Sequence, residues 1–304
     1  MAVDSTQSKA LISSEPTLAA EAVRGRSEWE RSWGRFRRYR PGMAGLTIVG
    51  ILVVLAVFAP LIAPQDPTAV PRGMRGASPS GDYWLGNDSI GRDILSRLIY
   101  GTRVALVVGV CAMAIALTIG VTIGMTAGYF GGWVDQGLSR VVDTLMAFPT
   151  IALLVTLSAL VGGSQLTVIL VIGTTIWASY ARVSRADVMS VRERDYVHAA
   201  RAIGVPNSRI IFRHILPNIT GPIIVLSSLD IGAIIILESA LSFLGLGIKP
   251  PTPSWGSMLA DGRAFVLTYP HIAIAPGIAI TITVLAFNLV GDGLRDALDP
   301  RQRG

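Results

Sequence analysis

Six stretches of the chain are so long and so poor in charge that a soluble domain of this size could not hide them all. They lie at about residues 44–63, 104–127, 145–161, 166–182, 219–244 and 272–290. A helix crossing a hydrocarbon core about 30 Å thick needs roughly 20 apolar residues, because each rises about 1.5 Å. The first two stretches contain no charged residue, and the fifth carries Asp230 and Glu238. In lipid, backbone polar groups must be satisfied within the chain, which favours helices. The expectation is an all-α polytopic membrane protein with six transmembrane helices. Composition agrees: of 304 residues, 51% are hydrophobic, 15% are charged and 32 are glycine. Abundant glycine with few aromatics suits helices whose backbones approach closely.

The cationic residues fall between these stretches, so they read as topology signals rather than as a nucleic-acid surface. Residues 1–40 form a polar tail with Lys9, Arg24, Arg26, Arg31, Arg35, Arg37, Arg38 and Arg40. The 183–218 loop carries Arg185, Arg192, Arg194, Arg201, Arg209 and Arg213, next to Arg182 at a span end. The C-terminal stretch adds Arg295, Arg301 and Arg303. The opposite side receives Arg72, Arg75, Arg92, Arg97, Lys249 and Arg263, with Arg103 at a helix end. The bias predicts both termini in the cytoplasm, and the permease-like region as residues 41–304. The tail before residue 31 is rich in Ser, Ala and Glu and is expected to lack regular structure. Residues 31–40 interleave aromatics with arginine beside the first span, which suits contact with anionic lipid headgroups. The first span begins too late and runs too long to be a signal-peptide core.

Energy must come from elsewhere. A P-loop needs Gly-Lys-[Ser/Thr], because the lysine reaches the phosphates and the hydroxyl holds magnesium. The two lysines, Lys9 and Lys249, follow Ser8 and Ile248. No zinc-protease motif or serine nucleophile elbow occurs either, so the chain carries no catalytic residues and no metal site of its own. Cys111 stands alone inside an apolar run and is expected to be a small buried hydrophobe.

The most informative segment is Asp195-Tyr196-Val197-His198-Ala199-Ala200-Arg201-Ala202-Ile203-Gly204. Three alanines favour helix, and Gly204 can end it in a left-handed cap. Pro206 suits the first turn of a second short helix over residues 207–216, and Pro217 marks entry to the fifth span. The expectation is a helix–turn–helix across one membrane face, with a small-residue surface that can seat in a groove.

This segment resembles the "EAA" coupling loop of bacterial ABC importer permeases: Ala199-Ala200, then Gly204, then Ile215-Leu216-Pro217. Other blocks resemble the C-type permeases of the dipeptide/oligopeptide/nickel group. They are Trp84-Leu85-Gly86-Asn87-Asp88 with Gly91-Arg92-Asp93, and Ala127-Gly128-Tyr129-Phe130-Gly131-Gly132. Leu241-Ser242-Phe243-Leu244-Gly245-Leu246-Gly247, Pro253-Ser254-Trp255-Gly256 and the run from Asn288 to Asp296 follow in the same order. The likeness covers about residues 35–301. It implies the type I ABC importer permease fold and a set of partners: a homologous B-type permease subunit, two ABC ATPase subunits and an extracytoplasmic substrate-binding protein. ATP and Mg2+ would be bound by the ATPase subunits. The substrate class implied is peptides, with nickel complexes, glutathione and haem also carried within the group. The coupling role falls on Tyr196, His198, Ala199, Ala200, Arg201, Gly204, Ile215, Leu216 and Pro217. His198 occupies the family's acidic position, so Tyr196, Ala199, Ala200 and Gly204 are expected to provide the shape fit and His198 a polar contact.

An acidic residue at the middle of a membrane helix costs roughly 2.5–3.5 kcal/mol on insertion scales. Asp230 and Glu238 should therefore face a cavity, a partner or water. Eight positions apart, they lie about 80° apart around a helix and could share one broad face of a translocation pathway. A structural role is open for each. Gly120, Gly124 and Gly128 form a small-residue stripe for tight helix packing, within the chain or against the B-type subunit. Asp82, Asp88 and Asp93 in one outer loop, with Trp255 and Asp261 in another, are expected to fold these loops against the rim. Arg92 and Asp93 would anchor a short helix leading to the second span. Without the resemblance, an ion-coupled transporter and a membrane scaffold remain open.

Overall fold

The computed structural model describes residues 28–298, and among them all regular structure is helical. Residues 28–30, expected to lack regular structure, are helical; the rest of that tail, and Arg301 and Arg303, lie outside the described residues.

The helices are α1 (Glu28–Arg38), α2 (Arg40–Val57), α3 (Ala59–Ile62), α4 (Ile94–Phe130), α5 (Gly132–Met146) and α6 (Thr150–Val161). They are followed by α7 (Gln165–Arg192), α8 (Asp195–Ala202), α9 (Asn207–Ile210), α10 (Leu216–Phe243), α11 (Trp255–Gly262) and α12 (His271–Leu298). A π turn at Ile211–Ile215 joins α9 to α10 in one helical run from Asn207 to Phe243. Pro217 explains it. A proline ring clashes with the carbonyl four residues back and removes one hydrogen bond, and the wider turn absorbs both.

Five helices are long and apolar enough to cross a membrane: α2, α4, α7, the Asn207–Phe243 run and α12. The sixth span differs from the expected straight segment at 145–161. There α5 and α6 meet at an 83° bend, and α6 alone has only 12 residues. That is about 18 Å of rise, short of the ~30 Å core. Pro149 forces the break, since the residue before a proline is pushed out of helical conformation. Two further boundaries move. The fourth span does not stop near Arg182, because α7 continues to Arg192. No separate helix leads into the second span, because α4 runs unbroken for 37 residues from its cap at Asp93.

The spans alternate in direction, so the bundle has a near end, carrying residues 193–206, and a far end, carrying loops 63–93 and 244–270. Its centre is the α4–α7 pair. A Cβ added at Gly120, Gly124 or Gly128 would lie 2.6, 2.8 and 3.0 Å from the Cβ atoms of Tyr180, Ser184 and Val188, respectively. Gly173 answers from the other side, where an added Cβ would lie 2.8 Å from the Ile115 Cβ. The glycine stripe therefore packs within this chain. Around the pair sit Val108, Ala112, Ala116, Val168, Ile172 and Ile234, all buried. Gly45 of α2 seats against α12 in the same manner, meeting Leu289. Cys111 is exposed, on the α4 stripe with Val107, Val110 and Ala114. The expectation of burial fails because an apolar run in lipid need not face the core.

Candidate functional site

The 195–217 segment forms the expected short helix, turn and second helix. Helix α8 ends in a Schellman cap: the Gly204 N–H donates to Arg201 O at 3.0 Å, and the Val205 N–H to Ala200 O at 3.0 Å. Gly204 has φ +78°, which only glycine adopts readily. An added Cβ there would meet nothing within 4 Å, so the constraint is conformational rather than steric. Pro206 sits at the cap of α9, not inside its first turn.

Burial divides the proposed coupling residues into two sets. Val197 and Ala200 turn inward and join Val188, Val191, Ile210, Ile215, Ile219 and Ile223 in one apolar cluster. Each fully buried aliphatic side chain there contributes about 1.5–3 kcal/mol. Ala200 therefore belongs to the base of the segment, not to its outer surface, correcting its expected place in the shape fit. Ile215 is a core residue for the same reason, and Leu216 packs against that cluster. The outer set is Tyr196, His198, Ala199, Arg201, Gly204 and Pro217, together with Ile203 at 80% exposure. His198 Nε2 lies 3.5 Å from Glu193 Oε2, and both side chains are exposed. The Arg192 guanidinium, bonded to Glu193, holds that carboxyl below the ordinary carboxylate range.

Two contacts pin this segment to the end of α4, and the adjoining end of α7 adds a third. Arg192 Nη1 donates to the carbonyls of Gly128 and Tyr129 at 3.0 and 3.2 Å. A cation on the last carbonyls of a helix satisfies orphan acceptors and complements the helix dipole. The Tyr129 hydroxyl donates to Asn207 Oδ1 at 2.7 Å. The Arg201 guanidinium stacks over the Tyr129 ring, 4.9 Å from its centroid. Tyr129 thus touches both helices of the coupling segment. The sequence marked it only as part of a recognisable block, because residues some 70 positions apart in sequence carry no periodic signal of their contact. Helix α5 is tied to α7 in parallel: Arg185 Nη2 donates to Asp135 at 2.6 Å, and Arg182 to Asp143 at 2.6 Å. Two arginines assigned to topology thus also hold structure.

The two membrane carboxylates separate. Asp230 is half-buried and accepts a hydrogen bond from the Tyr180 hydroxyl of α7. Glu238, expected on a shared pathway face, is enclosed at 1% exposure. It accepts from Ser242 Oγ at 2.7 Å, and Ser242 Oγ accepts in turn from the Ile248 N–H at 3.2 Å. A second Schellman cap closes this turn, with Leu246 N–H donating to Leu241 O at 2.9 Å and Gly245 at φ +77°. Glu238 therefore braces the far-end turn after α10, and of the two only Asp230 stays partly exposed.

At the far end the outer loops lock onto one another. Asp88 accepts from Arg92 Nε at 2.6 Å and from the N–H groups of Ile90, Gly91 and Arg92. Arg92 also reaches Asp261 at 3.0 Å, and Arg97 lies 3.6 Å from Asp88. Asp93 caps α4 by accepting from the Ser96 N–H at 2.8 Å and Oγ at 2.6 Å. Trp255 is buried, and its indole N–H donates to Leu98 O at 3.1 Å. A Cβ on Gly101 would lie 2.7 Å from that indole ring. Asp82 joins none of these contacts. Among the described residues no group of His, Cys, Asp and Glu is arranged to hold a metal ion.

With this geometry in place, comparison with known proteins is decisive. Residues 120–304 match the family described as the inner membrane component of binding-protein-dependent transport systems. The chain belongs to that permease family. Residues 27–79 match the N-terminal transmembrane domain of oligopeptide transport permease C. The chain is 39% identical over 277 residues to the dipeptide transport system permease protein DppC of Alkalihalophilus pseudofirmus, covering 91% of each. It is 41% identical over 297 residues to the glutathione transport system permease protein GsiD of Shigella boydii and to that of Escherichia coli O157:H7, covering 97% of each. The fold is that of a type I ABC permease, a multi-pass inner-membrane protein.

Proposed function

We propose that this permease forms half of the translocation path of an importer for short peptides, driven by ATP bound and hydrolysed with Mg2+ on two partner ATPase subunits. A homologous B-type permease supplies the other half, and an extracytoplasmic binding protein delivers the substrate. The observation that carries the reading is the near-end segment. It is capped, exposes Tyr196, Ala199 and Gly204 in a compact tip, and is pinned through Tyr129 and Arg192 to α4. A tip so attached passes a push from a docked ATPase to the central helix pair, biasing a two-state element with nucleotide on one side and substrate on the other.

Both termini lie in the cytoplasm on this reading. The near end concentrates Arg35, Arg37, Arg38, Arg40, Arg192, Arg194, Arg201, Arg209, Arg213 and Arg295, whereas Arg92 and Arg97 at the far end sit among carboxylates. Relatives named for dipeptides and for glutathione support a substrate of peptide character and small size. Asp230, hydrogen-bonded to Tyr180, is placed to meet a peptide ammonium in the path.

The test is uptake by the four-subunit transporter with its binding protein in liposomes, comparing a dipeptide with glutathione. Vanadate-sensitive accumulation of at least one is expected. Accumulation that persists without ATP, following an ion gradient, would overturn the ATPase reading. For Asp230, the Asp230→Asn variant should lose uptake of peptides with a free amino group more than of amino-blocked ones. Equal rates for both would remove it from the path.

A further inference from the structure

The coupling tip has a charge pattern that specifies its partner. Arg194, Arg201, Arg209 and Arg213 are all exposed around it, and none forms an ion pair among the described residues. Two carboxylates stand nearby. Glu193 is already bonded to Arg192 at 2.9 Å, which leaves Asp195. Three neighbouring arginines are engaged, Arg185 by Asp135, Arg182 by Asp143 and Arg192 by Glu193 and the α4 carbonyls, and Arg201 itself stacks on the Tyr129 ring without meeting a carboxylate. The four free cations surround an apolar and small-residue centre made of Tyr196, Ala199, Ile203 and Phe212, all exposed. Ile203 is 80% and Phe212 65% exposed.

We propose that the surface receiving this tip is an ATPase cleft with an apolar floor and an acidic rim, so that carboxylates of the ATPase neutralise Arg194, Arg201, Arg209 and Arg213. This rests on the ATPase-docking reading above and adds the chemistry of the partner. A flat anionic bilayer would satisfy the arginines but would leave the protruding tip without a matching concavity. A cleft with an arginine-rich rim would place like charges together, at a cost of several kcal/mol. His198, 53% exposed, adds no negative charge to the tip at the position where a carboxylate would call for a basic partner.

The experiment uses the assembled transporter, purified in detergent and in nanodiscs. Ala199→Cys, paired with thiol-reactive cross-linking, reports whether the tip meets the ATPase. The charge-reversed variant Arg201→Glu/Arg209→Glu/Arg213→Glu and its neutral counterpart with Gln at the same positions then report the rim. Expected are a cross-link to the ATPase, at least tenfold loss of co-purified ATPase on charge reversal, a smaller loss with Gln, and weaker ATPase retention by the unaltered complex as salt rises. A thermal unfolding midpoint in detergent within a few degrees of the unaltered chain confirms that the variants fold. For a variant that does not, the salt titration of the unaltered complex decides. A cross-link with full ATPase retention by the charge-reversed variant, or retention indifferent to salt, overturns the acidic rim and leaves docking intact. Absence of the cross-link overturns both readings. ATPase retention that depends on anionic lipid in the nanodisc, not on the arginines, assigns them to the bilayer and overturns the proposal.

Discussion

The two ends of the bundle use charge in opposite ways. At the far end, buried Asp88 and Arg92 are bonded to one another, Arg92 reaches the half-exposed Asp261, and buried Arg97 lies within ion-pair distance of both carboxylates, with Trp255 driven in beside α4. At the near end, Arg194, Arg201, Arg209 and Arg213 stay exposed around a helix of eight residues that is held by a cap, an apolar base and a few polar pins. Buried charge that is satisfied within the chain holds a shape, and exposed charge without an internal partner waits for another surface. The far end is thus built for rigidity, and the near end for contact.

The comparison breaks most visibly at Asp88. Asp88→Ala leaves Arg92 and Arg97 buried with Asp261 alone and strips the Ile90 and Arg92 N–H groups of their acceptor, while Gly91 keeps the Asp88 carbonyl. Removing one partner of a buried ion pair costs about 3–5 kcal/mol. The expected outcome is loss of folded permease from the membrane and a lowered unfolding temperature in detergent. A near-normal protein level would show that the far end is not the rigid end.

Gly204→Asp should do the reverse. Forcing a side chain into the left-handed region costs roughly 1–2 kcal/mol, which the whole fold tolerates but an eight-residue helix at the surface does not. Normal amounts of protein are expected, with uptake and substrate-stimulated ATP hydrolysis abolished. Unaltered coupling would remove the tip from the mechanism.

Tyr129→Phe sharpens the comparison within the near end. It removes one hydrogen bond, to Asn207, and keeps the ring under Arg201. A loss of about 1 kcal/mol is expected, with ATPase retained and uptake per ATP hydrolysed reduced severalfold. Unchanged stoichiometry would show that motion reaches α4 without the bond to Asn207, through the Arg201 stack and Arg192. The smallest effect belongs to His198→Ala. Its contact with Glu193 is an exposed pair, a class worth about 0–1 kcal/mol, so uptake within twofold of the unaltered chain is expected. A tenfold loss would make position 198 a principal contact after all.

How much of this was legible beforehand depended on range. Residue type and spacing along the chain were sufficient for five membrane helices, for the turn at Gly204 and for a helix anchored at Asp93, whose capping bond the structure supplied. Each follows from local physics: a hydrophobic length, a positive φ, an orphan N–H. The break at Pro149 was also local and still escaped the expected straight span, because hydrophobicity continues across it while the backbone does not. The glycine stripe showed that α4 packs tightly but not against what, and Tyr180, Ser184 and Val188 of α7 are the answer.

By itself, then, the sequence determined a polytopic helical membrane protein without a P-loop motif, and a capped helix–turn–helix at a definable place. Only the tertiary structure decided which residues of that segment face outward, moving Ala200 and Ile215 into its base. It alone parted Asp230, paired with Tyr180, from Glu238, closed in by serines. It also made Tyr129 the pin between coupling segment and membrane helix. The physical reason is the same in each case. Lipid length, helix caps and turns are read from neighbouring residues, whereas burial and pairing are set by segments tens of residues away that meet only after the bundle has closed.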